Sequence, residues 1–415
     1  MENNTAVTNT ENSTKRYFTK TAIVGFIALL LLIPLVMVSE LIYSRENTKD
    51  EVTYEVGRTY ALAQTIDYPE IESEVMEKSN GSTTVKEYAH TPAELNYVAK
   101  VDTEVRSRSI YDVIVYQAAV EVQGNFVVDS SMLAAQANTF KFDISDFKGL
   151  LSIPEVTIGD KTFALQRQYE DSARCLGAKV TLPAGVKEGD VVDFTLKLNL
   201  KGTEELSFVA GGNVTTVEVS SSYPHPSFSG NYLPASRDVR DDGFEAKWSV
   251  LDLNMSYSSS TMGVKFVEPA SPYQQAERSV KYGILIVALV FVAGLLVEYR
   301  TRREINAVQY AVIGLSLVLF YALQLAFSEF VTFGIAYVVA AAMTIGALMF
   351  YFRAILKSRS GYMLGGFVAI VYAINYILLQ METYALLAGS LLLFGLLCVV
   401  MYITANVNNN QPKTK

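Results

Sequence analysis

The sequence predicts an α+β membrane protein: an N-terminal signal-anchor helix, a large extracytoplasmic antiparallel β-sandwich domain and a C-terminal five-helix transmembrane bundle. Three observations predict it. Mean hydropathy is +0.23 and only 18% of residues are charged, where a soluble domain carries about 25%. The charge is segregated: residues 45–280 hold 22 Lys/Arg and 35 Asp/Glu, net −13, and the other 179 residues hold 12 and 7, net +5. Apolar runs long enough to cross a bilayer lie on either side of that charged region.

Residues 1–20 read as a disordered cytoplasmic tail, rich in Asn and Thr. Thr21 to Ser39 follows without a charge and is preceded by Lys15, Arg16 and Lys20. A cleaved signal peptide has an apolar region of about 7–15 residues ending at small residues. This run is longer and continues into Glu40-Leu41-Ile42-Tyr43. It predicts an uncleaved transmembrane helix over 21–42.

Residues 43–280 form the predicted β-rich domain. Val52, Val56 and Tyr60 have helical spacing, so the first span can extend as a short helix. Strands follow at Ile110–Tyr116 leading into Val120–Gly124, at Thr139–Ile144, Lys179–Leu182, Asp193–Leu200 and Val214–Ser220. Asp242-Gly243 before Phe244–Val250 is a turn-to-strand signal.

Residues 281–404 predict five spans, at about 282–299, 305–328, 330–352, 361–381 and 383–404. Ile305–Phe352 has one charge, Glu329, and Gly361–Ile403 has one, Glu382. A span needs about 20 apolar residues, so each of these runs makes two spans joined at its glutamate. Lys and Arg favour cytoplasmic loops. Counted this way, every basic cluster falls on one side: Lys15–Lys20, Arg300–Arg303, Arg353–Arg359 and the tail 405–415. A multi-pass membrane protein follows, with both termini cytoplasmic and the large domain on the opposite side.

Three residues stand out as candidate functional positions. His225 lies in Tyr223-Pro224-His225-Pro226-Ser227-Phe228, where two prolines fix the backbone. One reading is a rigid loop presenting His225 to a ligand. The other, which the lack of a spaced catalytic partner favours, is a crossover between sheets with His225 at a corner. Glu329 and Glu382 interrupt apolar runs on the same predicted membrane face. They either mark turns, solvated or capping the next helix, or form a paired site assisted by Gln324, Ser328, Gln380 and Thr383.

No catalytic residue, metal site or cofactor is expected. The two histidines, His90 and His225, argue against a His-rich metal site, and the two cysteines, Cys175 and Cys398, exclude a disulfide framework. There is no phosphate loop, zinc spacing or nucleotide fingerprint. The expected partner is the lipid bilayer. Nucleic acid is not expected, because no strongly basic surface is present.

Several segments together resemble the CreD family of bacterial inner-membrane proteins. They are Leu30–Leu35, Ile42–Glu46, Arg106–Tyr116, Tyr223–Gly230, Glu277–Gly283, Gln309-Tyr310, Leu319–Tyr321, Ser328-Glu329 and Leu378–Leu387. Ala63–Glu87 departs from the family's Gly-Pro and Pro-Tyr pattern, and Ala307-Val308 stands where members often have His-Pro. The resemblance implies a place in the bacterial inner (plasma) membrane, a periplasmic position for the large domain, an envelope or periplasmic ligand as partner, and a role in cell-envelope integrity. In the family this goes with envelope-stress and β-lactam responses under a two-component regulator, and with altered colicin tolerance. It implies no established enzymatic activity. A non-enzymatic binding or sensing role of the outer domain is the first reading. A transporter or lipid-handling role using Glu329 and Glu382 is the alternative, and a glycan-directed enzyme with two facing carboxylates comes third.

Overall fold

In a computed structural model, the described residues are 19–79, 82–170, 173–255, 260–267, 271–301, 303–357 and 359–380, with isolated positions between 387 and 401. The chain divides into a helical unit, Met1–Thr48 with Ala270–Lys415, and a second unit, Lys49–Pro269.

The first helix, α1, runs from Thr19 to Tyr60 as one element of 42 residues. It passes well beyond the predicted span at 21–42 because nothing stops it. Its charged half carries Glu, Lys and Arg, which are good helix formers. A single turn-like residue, Leu31, interrupts it. Pro34, which lacks an N–H and crowds the preceding turn, accounts for that.

The second unit is mostly sheet. Its strands are β1 (Gln64–Ile66), β2 (Glu70–Ser79), β3 (Ser82–His90), β4 (Glu94–Arg108), β5 (Tyr111–Val127), β6 (Ala137–Phe142), β7 (Glu155–Ile158), β8 (Lys161–Ala164) and β9 (Gln166–Glu170). The rest are β10 (Ala173–Val180), β11 (Val191–Thr203), β12 (Glu205–Val209), β13 (Val214–Ser221), β14 (Pro226–Gly230), β15 (Ser236–Arg240), β16 (Gly243–Leu251) and β17 (Thr261–Phe266). A short helix, α2 (Ser130–Ala134), precedes β6. Three sheets form, with orders β15-β16-β13-β4-β5-β11-β7-β8, β3-β2-β6-β10-β9 and β1-β12-β17-β14.

Two ladders depart from the all-antiparallel expectation: β13 pairs β4 in parallel, and β1 pairs β12 in parallel. Both join strands distant in sequence, which alternation within a strand cannot reveal. The runs at 110–116 and 120–124 are one strand, β5, of 17 residues. Alternation is clean in β11 and β16, which bury every second residue over most of their length. The two-residue loop Asp241-Asp242 closes the β15–β16 hairpin, and Gly243 follows at φ 145°.

One continuous apolar core takes residues from all three sheets. Aromatic pairs join the eight-stranded sheet to each smaller one: Tyr97 to Phe208 at 5.2 Å, Trp248 to Phe228 at 5.7 Å, and Phe126 to Phe140 at 6.4 Å. Tyr116 lies across Gly202, where any side chain would collide with its ring, and its hydroxyl donates to the Glu205 carbonyl at 2.6 Å.

The helical unit continues with α3 (Pro272–Lys281), α4 (Gly283–Thr301), α5 (Ala307–Ser328), α6 (Phe333–Leu356) and α7 (Ser360–Gln380). Among the described residues, α1, α5, α6 and α7 are long and apolar enough to cross a membrane. Helices α3 and α4 together form a pair bent by 41°. Residues 272–280, expected in the β-rich region, are helical instead. Pro272 at the first position favours helix, and Tyr273, Ala276 and Val280 form a buried stripe at helical spacing. Most of the span expected at 383–404 lies outside the described residues.

Candidate functional site

His225 lies in the connection from β13 to β14, exposed, with its ring edge-to-face on Tyr223 at 6.1 Å. Tyr223 is the fixed member of this pair. Its ring meets Phe266 at 5.7 Å, and its hydroxyl donates to the Val267 carbonyl at 2.8 Å. Among the described residues, no carboxylate or hydroxyl hydrogen-bonds or pairs with His225. Asp238 pairs with Arg240 at 3.3 Å beside the hairpin instead.

Sequence reasoning passed over His90. Its Nδ1 lies 3.4 Å from Asp129 Oδ2 and its Nε2 lies 3.3 Å from Ser131 Oγ. These are the residue types of a nucleophilic triad, but the geometry differs. Ser131 Oγ donates to Asp129 Oδ1 at 2.8 Å, so the carboxylate holds the hydroxyl as well as the imidazole. In a working triad the imidazole stands between the two. Asp129 also accepts from the Met132 N–H at 2.9 Å and caps α2. Burial pushes its carboxyl up, but the hydrogen bonds from Met132 and Ser131 and the nearby His90 outweigh it, leaving the carboxyl below its ordinary value. The cluster is a capped turn.

A second acidic group is built differently. Asp67, Glu70 and Asp143 are all held above the usual carboxylate value, first by burial. The charge of Asp67 adds to the effect on Glu70 and Asp143. Asp67 accepts from the Tyr68 N–H at 2.8 Å, and Asp143 from the Ile144 N–H at 2.8 Å, which offsets burial in part. Among the described residues, no three His, Cys, Asp or Glu side chains form a metal-binding group.

In the helical unit, Glu329 is the C-cap of α5, and Thr332 occupies the N-cap of α6. Glu329 therefore does not cap the following helix. Its side chain, 11% exposed, lies 3.5 Å from Nε of Arg45 on α1. Glu382 and Thr383 lie outside the described residues. Of the residues expected to assist, Gln324 accepts from Ser279 Oγ at 3.0 Å and Ser328 bonds the Leu325 carbonyl of its own helix. Gln380 is exposed.

Glu298 was not anticipated. It is 7% exposed and pairs with Lys20 Nζ at 2.6 Å. The same carboxylate accepts the Ile305 N–H, and the Tyr310 hydroxyl donates to its other oxygen at 3.3 Å. A charge at the end of an apolar run is ordinary, so the sequence held no signal that this one folds inward. The hint was only that Lys20 is the last charge before the first span and Glu298 the first charge after the apolar run Tyr282–Val297.

The family model described as "Inner membrane protein CreD" matches residues 16–410. A curated relative, the inner membrane protein CreD of Escherichia coli (strain K12), is 29% identical over 417 aligned residues. That alignment covers 92% of this chain and 91% of the relative. Among solved structures, an M1 zinc metallopeptidase from Deinococcus radiodurans aligns at 9% identity over 72% of this chain and 92% of that one. Its TM-score is 0.23, and nothing about this chain follows from it.

Proposed function

The chain belongs to the CreD family of inner membrane proteins, and from that premise we propose that it contributes to cell-envelope integrity and the envelope-stress response. It is a membrane protein with an apolar N-terminal helix, a mostly sheet domain in the middle and C-terminal helices that include three apolar spans. In our reading the chain crosses the bilayer several times, both termini are cytoplasmic and the sheet domain is periplasmic. The sheets form a sandwich, with the eight-stranded layer facing the two smaller ones. This domain binds or senses an envelope ligand without enzymatic chemistry.

The observation that carries this reading is charge segregation. The acidic, sheet-forming region falls between apolar helices, while the loops that would face the opposite side carry the Lys and Arg clusters. Two experiments test it. A phosphatase fusion after Trp248 should be active and a fluorescent-protein fusion at the same point dark; the reverse pattern would place the domain in the cytoplasm. Photo-crosslinkers at the exposed positions Ser222 and Ser227, beside His225, should capture an envelope component in living cells. No capture at either position would remove the binding role from that loop.

A transporter or lipid-handling role using Glu329 and Glu382 ranks second. The low exposure of Glu329 favours it. Against it, Glu329 is already matched by Arg45, and the buried face of α5 between Tyr310 and Tyr321 is apolar, with Ile313, Gly314, Leu317 and Val318.

A further inference from the structure

The helical unit buries more hydrogen-bonding groups than it pairs. Tyr321 and Gln324 lie three residues apart on one face of α5, and Tyr372 and Asn375 likewise on α7. Tyr321, Gln324 and Tyr372 are each 1% exposed and Asn375 is 3% exposed. Ser279 donates to Gln324 Oε1 at 3.0 Å, the Tyr337 hydroxyl donates to the Tyr372 carbonyl at 2.8 Å, and Asn375 Nδ2 donates to the Tyr337 hydroxyl at 3.1 Å. Those bonds leave four atoms without a partner among the described residues: Tyr321 Oη, Tyr372 Oη, Gln324 Nε2 and Asn375 Oδ1. The phenol rings converge on Phe320, whose centroid lies 4.9, 5.2 and 4.4 Å from those of Tyr321, Tyr337 and Tyr372.

An unpaired polar group is costly in any protein interior. It is costlier in a bilayer, where no water reaches it from the side. The cluster contains no charged side chain, so an ion would enter without a counter-charge, and the fitting ligand is neutral. Size narrows it further. Of the four residues, Asn375 lines a cavity of about 30 Å³, with Tyr282, Ile286, Val371 and Leu378, which is room for about one water molecule.

We propose that Tyr321, Gln324, Tyr372 and Asn375 hold internal water through the atoms that lack a protein partner among the described residues. Along α5, Gln324 lies about 7.5 Å and Tyr321 about 12 Å from Glu329, at 1.5 Å per residue. On the other side of Tyr321 the buried face of α5 is apolar among the described residues. Ile313 and Leu317 are buried there, and the space beside Gly314 is filled by Leu31 and Phe291. This inference is independent of the envelope role.

X-ray hydroxyl-radical footprinting of the full chain in phosphatidylethanolamine–phosphatidylglycerol nanodiscs tests it, since bound water generates the label in place. Tyr321 and Tyr372 should oxidise at least tenfold faster than the equally buried Phe291, and Asn375→Leu with Gln324→Leu should remove most of that excess. Tyrosines as unreactive as Phe291 would overturn the proposal. Should the leucine variants fail to fold, Tyr321→Phe and Tyr372→Phe decide through the melting temperature. Hydroxyls that hold water leave it unchanged or lower when removed; a higher melting temperature in both would show hydroxyls with no partner and overturn the site.

Discussion

Lys20 on α1 and Glu298 on α4, 278 residues apart in sequence, form an ion pair at 2.6 Å with the carboxylate buried. The second pair on α1 is Arg45 with Glu329 at 3.5 Å. Twenty-five residues separate Lys20 from Arg45, which is about 37 Å of helix at 1.5 Å per residue. A bilayer's hydrocarbon core is about 30 Å thick. That separation exceeds the core thickness, and the two pairs join α1 to the C-terminal helices at two well-separated levels.

The first pair should be the costlier to break. Lys20→Met leaves the buried Glu298 carboxylate without its cation, and stranding a buried charge costs about 3–5 kcal/mol. Because Lys20 is 24% exposed, about 2–3 kcal/mol is the expected loss. The double variant Lys20→Met with Glu298→Gln should recover part of it in thermal unfolding of the detergent-solubilised chain. Equal loss in the single and double variants would mean that the pair does not act as a unit.

The second pair should couple more weakly. Arg45 is 46% exposed, and such pairs contribute about 0.2–1 kcal/mol. A double-mutant cycle on Arg45→Ala and Glu329→Gln should give a coupling of about that size, decreasing with added salt. Coupling near zero at low salt would return Glu329 to the role of a turn marker.

The acidic group in the sheet domain sets a pH dependence. Asp67, Glu70 and Asp143 have raised carboxyl values in the folded chain, chiefly through burial. The folded state then holds more protons than the unfolded one between the ordinary carboxylate value, about 4, and the raised ones. Their contribution to stability therefore grows as pH falls through the raised values and is complete below the ordinary one. Asp129, lowered, acts in the opposite sense and loses its contribution as pH falls through its own value. Asp67→Asn keeps the acceptor for Tyr68 and removes a desolvated charge. It should raise the melting temperature near neutral pH and flatten its rise toward mild acid. Identical slopes for variant and parent would exclude Asp67 as a contributor.

Backbone strain offers a separate test. Glu204 has φ 59° between β11 and β12, where its N–H bonds the Ile114 carbonyl at 3.0 Å and its carbonyl accepts from Phe266 at 2.7 Å. A left-handed conformation costs a side-chain-bearing residue about 1–2 kcal/mol. Glycine removes most of that and returns part of it as unfolded-state entropy. Glu204→Gly should therefore stabilise the chain by about 0.5–1 kcal/mol. A loss of stability would show that the Glu204 side chain itself matters.

His225 should be silent in stability, and its effect on function decides between its two readings. It is exposed and rests only on Tyr223 among the described residues, so His225→Ala should change unfolding by less than about 0.5 kcal/mol. Tyr223→Ala, which also removes the hydrogen bond to Val267 and the packing on Phe266, should cost more. If His225→Ala abolishes envelope-stress tolerance at unchanged protein level, the loop presents His225 to a ligand; unchanged tolerance leaves it as a corner of the fold.

Much of the architecture could be read from local pattern. Charge density separates the sheet domain from the apolar helices, and α5, α6 and α7 are long and apolar enough to cross a membrane. Alternation located β6, β11 and β13, and the Asp242-Gly243 turn signal located β16. It missed β2 and β3, whose sequences are dense in Glu, Ser, Thr and Lys. It also missed β14 and β15, whose residues are largely exposed or half-buried.

What the sequence determined by itself is which segments leave water and which do not, because transfer free energy belongs to each residue before any partner is chosen. Tertiary structure alone decided which charges and hydroxyls meet: Lys20 with Glu298, Arg45 with Glu329, His90 with Asp129, and the tyrosines around Phe320. Those encounters depend on how helices and sheets from distant parts of the chain pack. A polar side chain looks alike in sequence whether it will face solvent, an opposite charge or an unpaired neighbour in the core.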